Sequence, residues 1–436
     1  MTRRTVAPPE PRSHHVHGQR FDERKPMAAP GIERVPRVVG EPERAWREAR
    51  AGGAEATSGR RRDLAARLLA GPSPTIDDSD PASGECVYTW VVEDACASAV
   101  LLSANGVLDV RDLGASELTR LEGSDLWTLS YRMPRDWRAS YVVTAHRGDG
   151  LPPWWAAADR RAIRLAAMAG SPDPRNPLRS ATMHDTAVSV VEGPAAPAHP
   201  WRACPGERAL SVIDFAATPA RRAWRVWLYE PPGSSSEDVL PLAVVFDGQV
   251  WAQALPLAGS LDAAIRAGAL PPTRAVLVDS GDVPTRWEEL GVPGGATDFV
   301  LRDLLPAVRQ RVGISGDPAQ VVAAGASFGG LAALWLVALG GGQVGAAVAQ
   351  SPSLWRFDLA GPLLAAEPAR VELQVGALEP EMLGACRELR GELARHGHDA
   401  QLTVVTGGHD WAWWHPAMID GLARALRPSR AEGPLP

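Results

Sequence analysis

A serine flanked by glycines, Gly325-Ala326-Ser327-Phe328-Gly329-Gly330, lies between one apolar run, Val321 to Ala324, and a second of helical character, Leu331 to Val337. Strand, G-x-S-x-G and helix in that order describe a nucleophile elbow, a turn sharp enough to force the serine backbone into a strained conformation. Neighbours without a Cβ are needed because the turn leaves no room for one. Such a turn lifts the Ser327 hydroxyl above a sheet and aims the Phe328 N–H at the same point. The helix behind it adds a favourable field for a developing oxyanion. A Gly-rich αβ connection produces the same short pattern, so the residues that must accompany a nucleophile decide between the two.

The required companions follow the serine in the chain order Ser, Asp/Glu, His. His409, in Thr406-Gly407-Gly408-His409-Asp410, sits between the last expected strand and the last expected helix, where flanking glycines let a loop reach back over the sheet. It is the candidate general base, and His415 is its one serious competitor among the 10 histidines. The candidate acid is Glu379, after strand Val371–Val375, with Asp410, Asp399 or an acid-free dyad as alternatives. Its task is to fix the imidazole tautomer and stabilise the imidazolium. A second oxyanion donor is expected from Asp247-Gly248-Gln249, directly after Pro241–Phe246. Gly248 permits a close backbone approach, the Gln249 N–H then faces the carbonyl beside that of Phe328, and Asp247 fixes the loop.

These groups need a scaffold, and the chain supplies one in pieces. From about 206 to 428, strands at 222–229, 241–246, 274–279, 344–350, 371–375 and 402–406 alternate with helices at 256–267, 297–312, 380–396 and 416–426. This pattern predicts an α/β fold, a doubly wound sheet. Before it, short β-rich segments at 86–93, 99–103, 106–110, 126–132 and 140–146 predict a small Ig-like β-sandwich over 84–167, with Trp90, Trp127 and Trp137 in its core. A Pro-rich bridge, 168–205, is expected to be stiff and irregular. Residues 1–80 are poor in aromatics and rich in Pro, Arg and Glu, which predicts a disordered or partly helical extension. Within it, 42–50 and 61–70 are the helical stretches, and His14, His15 and His17 are stray side chains rather than a metal site.

Composition narrows the function classes. With 436 residues, 45% hydrophobic, and a net charge of −6, the chain is that of a globular protein without a general nucleic-acid footprint. Lys25 is the sole lysine, so arginine is the default cation and no single arginine is informative by type alone. The four cysteines are scattered without a C-x-x-C pair, which predicts reduced thiols and no zinc site. No apolar run approaches about 18 residues and no apolar leader opens the sequence, so a cytoplasmic protein without a membrane span is expected. Nothing in the pattern specifies an oligomer.

Together the motifs resemble the enterobactin (enterochelin) esterase family over about residues 84–426. The resemblance is carried by Asp173-Pro174-Arg175-Asn176-Pro177, Val245–Trp251, Arg286–Leu290, Phe299–Pro306, the elbow, Gln350–Trp355, Val375–Glu379 and Gly407–Asp410 with Trp414. Asp303 stands where the family usually has Glu, and Pro352 and Arg356 alter its Ser-Trp stretch. Membership implies an α/β-hydrolase with Ser327, Glu379 and His409 as the catalytic set. It implies a catecholate trilactone siderophore as the small-molecule substrate, iron arriving with that substrate and no cofactor of the protein's own. A triply anionic ferric tris-catecholate calls for arginines and aromatic walls. Arg286, Arg356, Trp251, Trp287, Trp355 and Trp414 are therefore expected to bind it. An esterase for another acyl ester, such as a feruloyl or short-chain ester, and a non-catalytic siderophore- or glycan-binding protein are the alternatives.

Overall fold

The computed structural model describes residues 12–24, 37–49, 54–201, 210–219 and 221–427. The chain divides into two compact units, one made of Met1–Pro30, His199–Val405 and Trp414–Pro436, the other of Gly31–Ala198 and Thr406–Trp413.

In the first unit a single sheet contains β1 (Ser211–Phe215), β2 (Trp224–Tyr229), β3 (Leu242–Phe246), β4 (Arg274–Val278), β5 (Val321–Ala326), β6 (Ala346–Gln350), β7 (Arg370–Gly376) and β8 (Asp399–Val405). Their spatial order is β1-β2-β4-β3-β5-β6-β7-β8. β2 runs antiparallel to β1 and β4, and the remaining pairs are parallel. Every residue of β3, β4, β5 and β6 is buried, which is why these strands read as unbroken apolar runs rather than alternating ones. The parallel strands share one carboxyl edge, ending at Phe246, Val278, Ala326, Gln350, Gly376 and Val405. In open α/β sheets this edge is where ligands sit. The last helix starts at Trp411, five residues before the expected 416, and carries Pro416 inside it.

The N-terminal residues are more ordered than their composition predicts. Ser13–Val16 and Gln19–Asp22 form a hairpin that belongs to the α/β unit. Phe21 meets Trp335 edge-on with centroids 5.1 Å apart, and the Arg24 N–H donates to the Arg356 carbonyl at 2.8 Å. Long-range packing supplies the stabilisation that local composition lacks. His14 pairs with Glu23 at 3.0 Å and His17 with Asp298 at 3.0 Å, so both histidines fasten the hairpin.

The second unit is an antiparallel two-sheet sandwich. Glu85–Glu93 and Leu126–Pro134 lead one sheet, and Ala99–Ala104 and Arg138–His146 lead the other. Trp90 joins the sheets edge-on to Tyr141 at 5.7 Å. Helix Ala54–Ala70 contains the expected stretch 61–70, helix Glu41–Glu48 covers most of the expected 42–50, whose last residue lies outside the described residues, and Trp46 and Leu64 pack with Val91, Leu121 and Leu126. Two expectations fail. Residues 106–110 make turns instead of a strand. The Pro-rich bridge is also regular in part: Arg179–Ala181 and Ala187–Glu192 add a hairpin to the second sheet. Buried polar side chains hold the proline turn in register. The Asp173 carboxylate accepts from Tyr141 Oη at 3.1 Å and from Ser73 Oγ, while Asn176 Nδ2 donates to the Val190 carbonyl at 2.7 Å.

Candidate active site

Ser327 follows β5 with φ 58° and ψ −117°, outside the ordinary regions for a residue with a Cβ. The next residue, Phe328, opens the helix Phe328–Leu339, so its N–H is one of the unsatisfied donors at a helix start. The glycines are sterically required. A Cβ on Gly325 would lie 2.6 Å from the Gly329 carbonyl carbon, and one on Gly330 would lie 3.1 Å from the Gln350 carbonyl oxygen. Gln350 also accepts the Ser327 N–H at 2.8 Å. The expected elbow is therefore present, with Ser327 partly exposed between buried neighbours.

Asp247, next along the sheet edge after β3, is the second strained position, with φ 63°. Its carboxylate is fully buried and accepts Arg286 Nε at 2.7 Å, Arg286 Nη2 at 2.8 Å and Ser280 Oγ at 2.5 Å. Arg286 Nη2 also reaches the Ala326 carbonyl at 3.2 Å, one residue before Ser327. This corrects the expectation that Arg286 binds substrate: a bidentate buried carboxylate neutralises it, and it positions the backbone instead. Gly248 is needed for close approach, because a Cβ there would lie 2.3 Å from the Leu277 carbonyl carbon. Gln249 is fixed through its side chain, which donates to Ser280 Oγ at 3.0 Å and accepts the Ser280 N–H at 3.1 Å. Gln249 lies two residues after Asp247, where a helical stretch begins.

The third strained residue is Ser351, at the end of β6 with φ 41°. Its hydroxyl donates to Glu379 Oε1 at 2.6 Å, and the Gly376 N–H donates to the same oxygen at 3.1 Å. The Ser353 N–H donates to the Ser327 carbonyl at 3.2 Å, and the two serine hydroxyls stand 3.4 Å apart. Sequence reasoning missed Ser351 and Ser353; the signal was the polar Gln350-Ser351-Pro352-Ser353 run following a strand of small apolar residues. The chain leaves β8 at Val405, paired with Gly376, and reaches His409 four residues later. His409 belongs to the second unit, where Asn105 Nδ2 donates to its carbonyl at 2.9 Å.

The alternatives to these residues have other occupations. His415 is buried within the last helix, its ring centroid 5.9 Å from that of Trp251. Asp410 accepts the Ala412 N–H at 3.0 Å and the Ser140 N–H at 2.5 Å, and burial pushes its carboxyl above the usual range despite these donors. Asp399 begins β8, at the opposite sheet edge, and pairs with Arg370 at 3.1 Å.

Several expected binding residues are internal. Arg356 pairs with Glu23 at 3.0 Å and donates Nε to the Gly291 carbonyl. Burial lowers its pKa from the ordinary arginine value, and Glu23 opposes that shift. Trp251 is fully buried with its indole N–H on the Phe246 carbonyl at 2.9 Å, and Trp414 donates to Ser351 Oγ at 3.1 Å. These three corrections share a cause: side chains from distant parts of the chain cover them. Trp287 and Trp355 remain as candidate walls. Trp287 is 44% exposed and stands edge-on to Phe328 at 4.8 Å, with Trp355 5.9 Å from the same ring.

Comparison with known proteins covers both units. The family model "Enterochelin esterase, N-terminal" matches residues 88–202, and an esterase family model matches residues 218–425. The iron(III) enterobactin esterase of Dickeya dadantii is 28% identical over 398 residues, spanning 80% of this chain and 89% of the relative. The iron(III) salmochelin esterase of Escherichia coli is 29% identical over 348 residues, 74% of this chain and 83% of the relative. The enterobactin esterase of Shigella flexneri, crystallised in the presence of enterobactin, superposes with a TM-score of 0.70 at 26% identity, covering 86% of this chain and 98% of its own.

Proposed function

The chain belongs to the enterobactin (enterochelin) esterase family, and from that premise we propose that it is a serine esterase that opens the ester bonds of a catecholate trilactone siderophore. The observation that carries this reading is the strained Ser327 on the sheet's carboxyl edge, with Glu379 held on the loop after β7 at the same edge. His409 accepts the Ser327 proton as Oγ attacks a seryl ester carbonyl. The Phe328 and Gln249 N–H groups receive the oxyanion, and Glu379 fixes the imidazole tautomer. The tetrahedral intermediate collapses with departure of the ring's serine oxygen, which takes the proton back from His409. Water, deprotonated by the same imidazole, then releases the acyl group. Trp287 and Trp355 offer flat surfaces to the catechol rings.

Iron is cargo in this scheme: it enters chelated, and ring opening loosens the chelate. The protein needs no metal or cofactor of its own, and the work is cytoplasmic, after uptake.

Product analysis by mass spectrometry tests the proposal, with ferric enterobactin, iron-free enterobactin and p-nitrophenyl butyrate as parallel substrates. The expected result is linear dihydroxybenzoyl-serine oligomers from the trilactone, formed with a higher kcat/KM than p-nitrophenol. Rapid cleavage of the simple ester with the trilactone intact would assign the protein to another ester. Inertness toward all three would favour a binding protein.

A further inference from the structure

We infer that Ser351 is a positioning residue for the acid of this site, orienting Glu379 through a relay that begins at Trp414; the inference rests on Glu379 being that acid. Ser351 is fully buried, and its own N–H donates to the Gln374 carbonyl at 2.7 Å, which fixes the residue at the end of β6. The Trp414 indole N–H donates to Ser351 Oγ at 3.1 Å. A hydroxyl that accepts from an indole has one proton left to give, and here it goes to Glu379 Oε1 at 2.6 Å. Indole can only donate, so the direction of the relay is set chemically: Trp414 to Ser351 to carboxylate.

Backbone conformation supports the same reading. Ser351 keeps φ 41°, a region that serine seldom occupies, and strain of this kind persists where surrounding structure enforces it, often at functional sites. Two residues on, the Ser353 N–H donates to the Ser327 carbonyl. One short loop therefore grips the nucleophile's backbone and the acid's carboxylate together. Glu379 sits outside the end of β7 on a turn, where a carboxylate without fixed donors would rotate. A rotating carboxylate cannot hold an imidazole in one tautomer.

The test is a kinetic cycle on enterobactin, with thermal melting alongside. Ser351→Gly suits the positive φ and removes the hydroxymethyl side chain. It should lower kcat roughly tenfold to a hundredfold, the range for one hydrogen bond to a charged group, with KM and Tm near wild type. Trp414→Phe, which keeps the bulk and drops the N–H, should lower kcat less, and it carries the test if Ser351→Gly does not fold. Glu379→Ala should lower kcat at least as far, and adding Ser351→Gly to it should cause no further loss. A further loss in that double variant would make Ser351 a general structural residue and overturn the inference. Wild-type kcat in Ser351→Gly with an impaired Glu379→Ala would overturn it too, leaving the acid assignment standing. Wild-type kcat in Glu379→Ala would instead remove the acid assignment on which the inference rests.

Discussion

Ser327→Ala is expected to lower kcat on a catecholate trilactone by about 10⁴- to 10⁶-fold, the loss seen when a nucleophile is removed from a Ser-His-acid set, while the melting temperature stays close to wild type. The fold should survive because the elbow depends on backbone packing rather than on Oγ. The Ser327 N–H is held by the Gln350 carbonyl, the Ser327 carbonyl accepts from Leu331 at 3.0 Å, and the glycine contacts at 325, 329 and 330 do not involve the side chain. The substitution removes the long 3.4 Å approach of the hydroxyl to Ser353 Oγ. Steady-state turnover with calorimetry alongside checks both halves. Residual activity within tenfold of wild type would place the nucleophile elsewhere.

Breaking the Asp247–Arg286 pair should have the second largest effect, and on stability first. Both groups are buried, and the pair ties the β3 loop to the helix Val283–Glu289 and to the carbonyl of Ala326. Arg286→Met would leave the Asp247 carboxylate buried with Ser280 as its remaining side-chain donor, at a cost of about 3–5 kcal/mol. Adding Asp247→Asn removes the second charge and suits the positive φ at that position. The double variant should therefore recover part of the loss, a coupling that a double-mutant cycle reads directly. Denaturant unfolding supplies the free energies. If Arg286 instead held the anionic substrate, Arg286→Met would raise KM several-fold and leave stability almost unchanged.

That contrast marks where sequence reasoning reaches its limit. Ser327 was legible because a nucleophile elbow needs glycines at fixed spacing and apolar runs on either side, all local features. The strands were legible for the same reason: LAVVF and RAVLV are buried on both faces and carry no alternation. Glu379 and His409 were candidates from chain order once the strands were placed, with Asp410, Asp399 or an acid-free dyad as alternatives for the acid. Arginine was not legible, because its role depends on which carboxylate the fold brings to it. Arg286 meets Asp247, 39 positions away, and Arg356 meets Glu23, 333 positions away. Trp251 and Trp414 read as ligand walls because they flank motifs, yet packing from other strands and helices buries them. The N-terminal hairpin was invisible for the opposite reason. SHHV and QRFD contain one buried apolar side chain, Phe21, and its partner Trp335 lies on the helix after the elbow. The Pro-rich bridge misled in a third way: proline density argues against regular structure, but Asp173 and Asn176 supply buried hydrogen bonds that hold it.

Ser327 acting as a nucleophile activated by His409 is the central proposal. Stoichiometric labelling with a fluorophosphonate, mapped by peptide mass spectrometry in the wild-type protein and in His409→Ala, tests this most directly. The expected result is one label per chain on Ser327, with the rate in His409→Ala reduced by at least about 10³-fold. An unlabelled Ser327, or an undiminished rate without the imidazole, would contradict it.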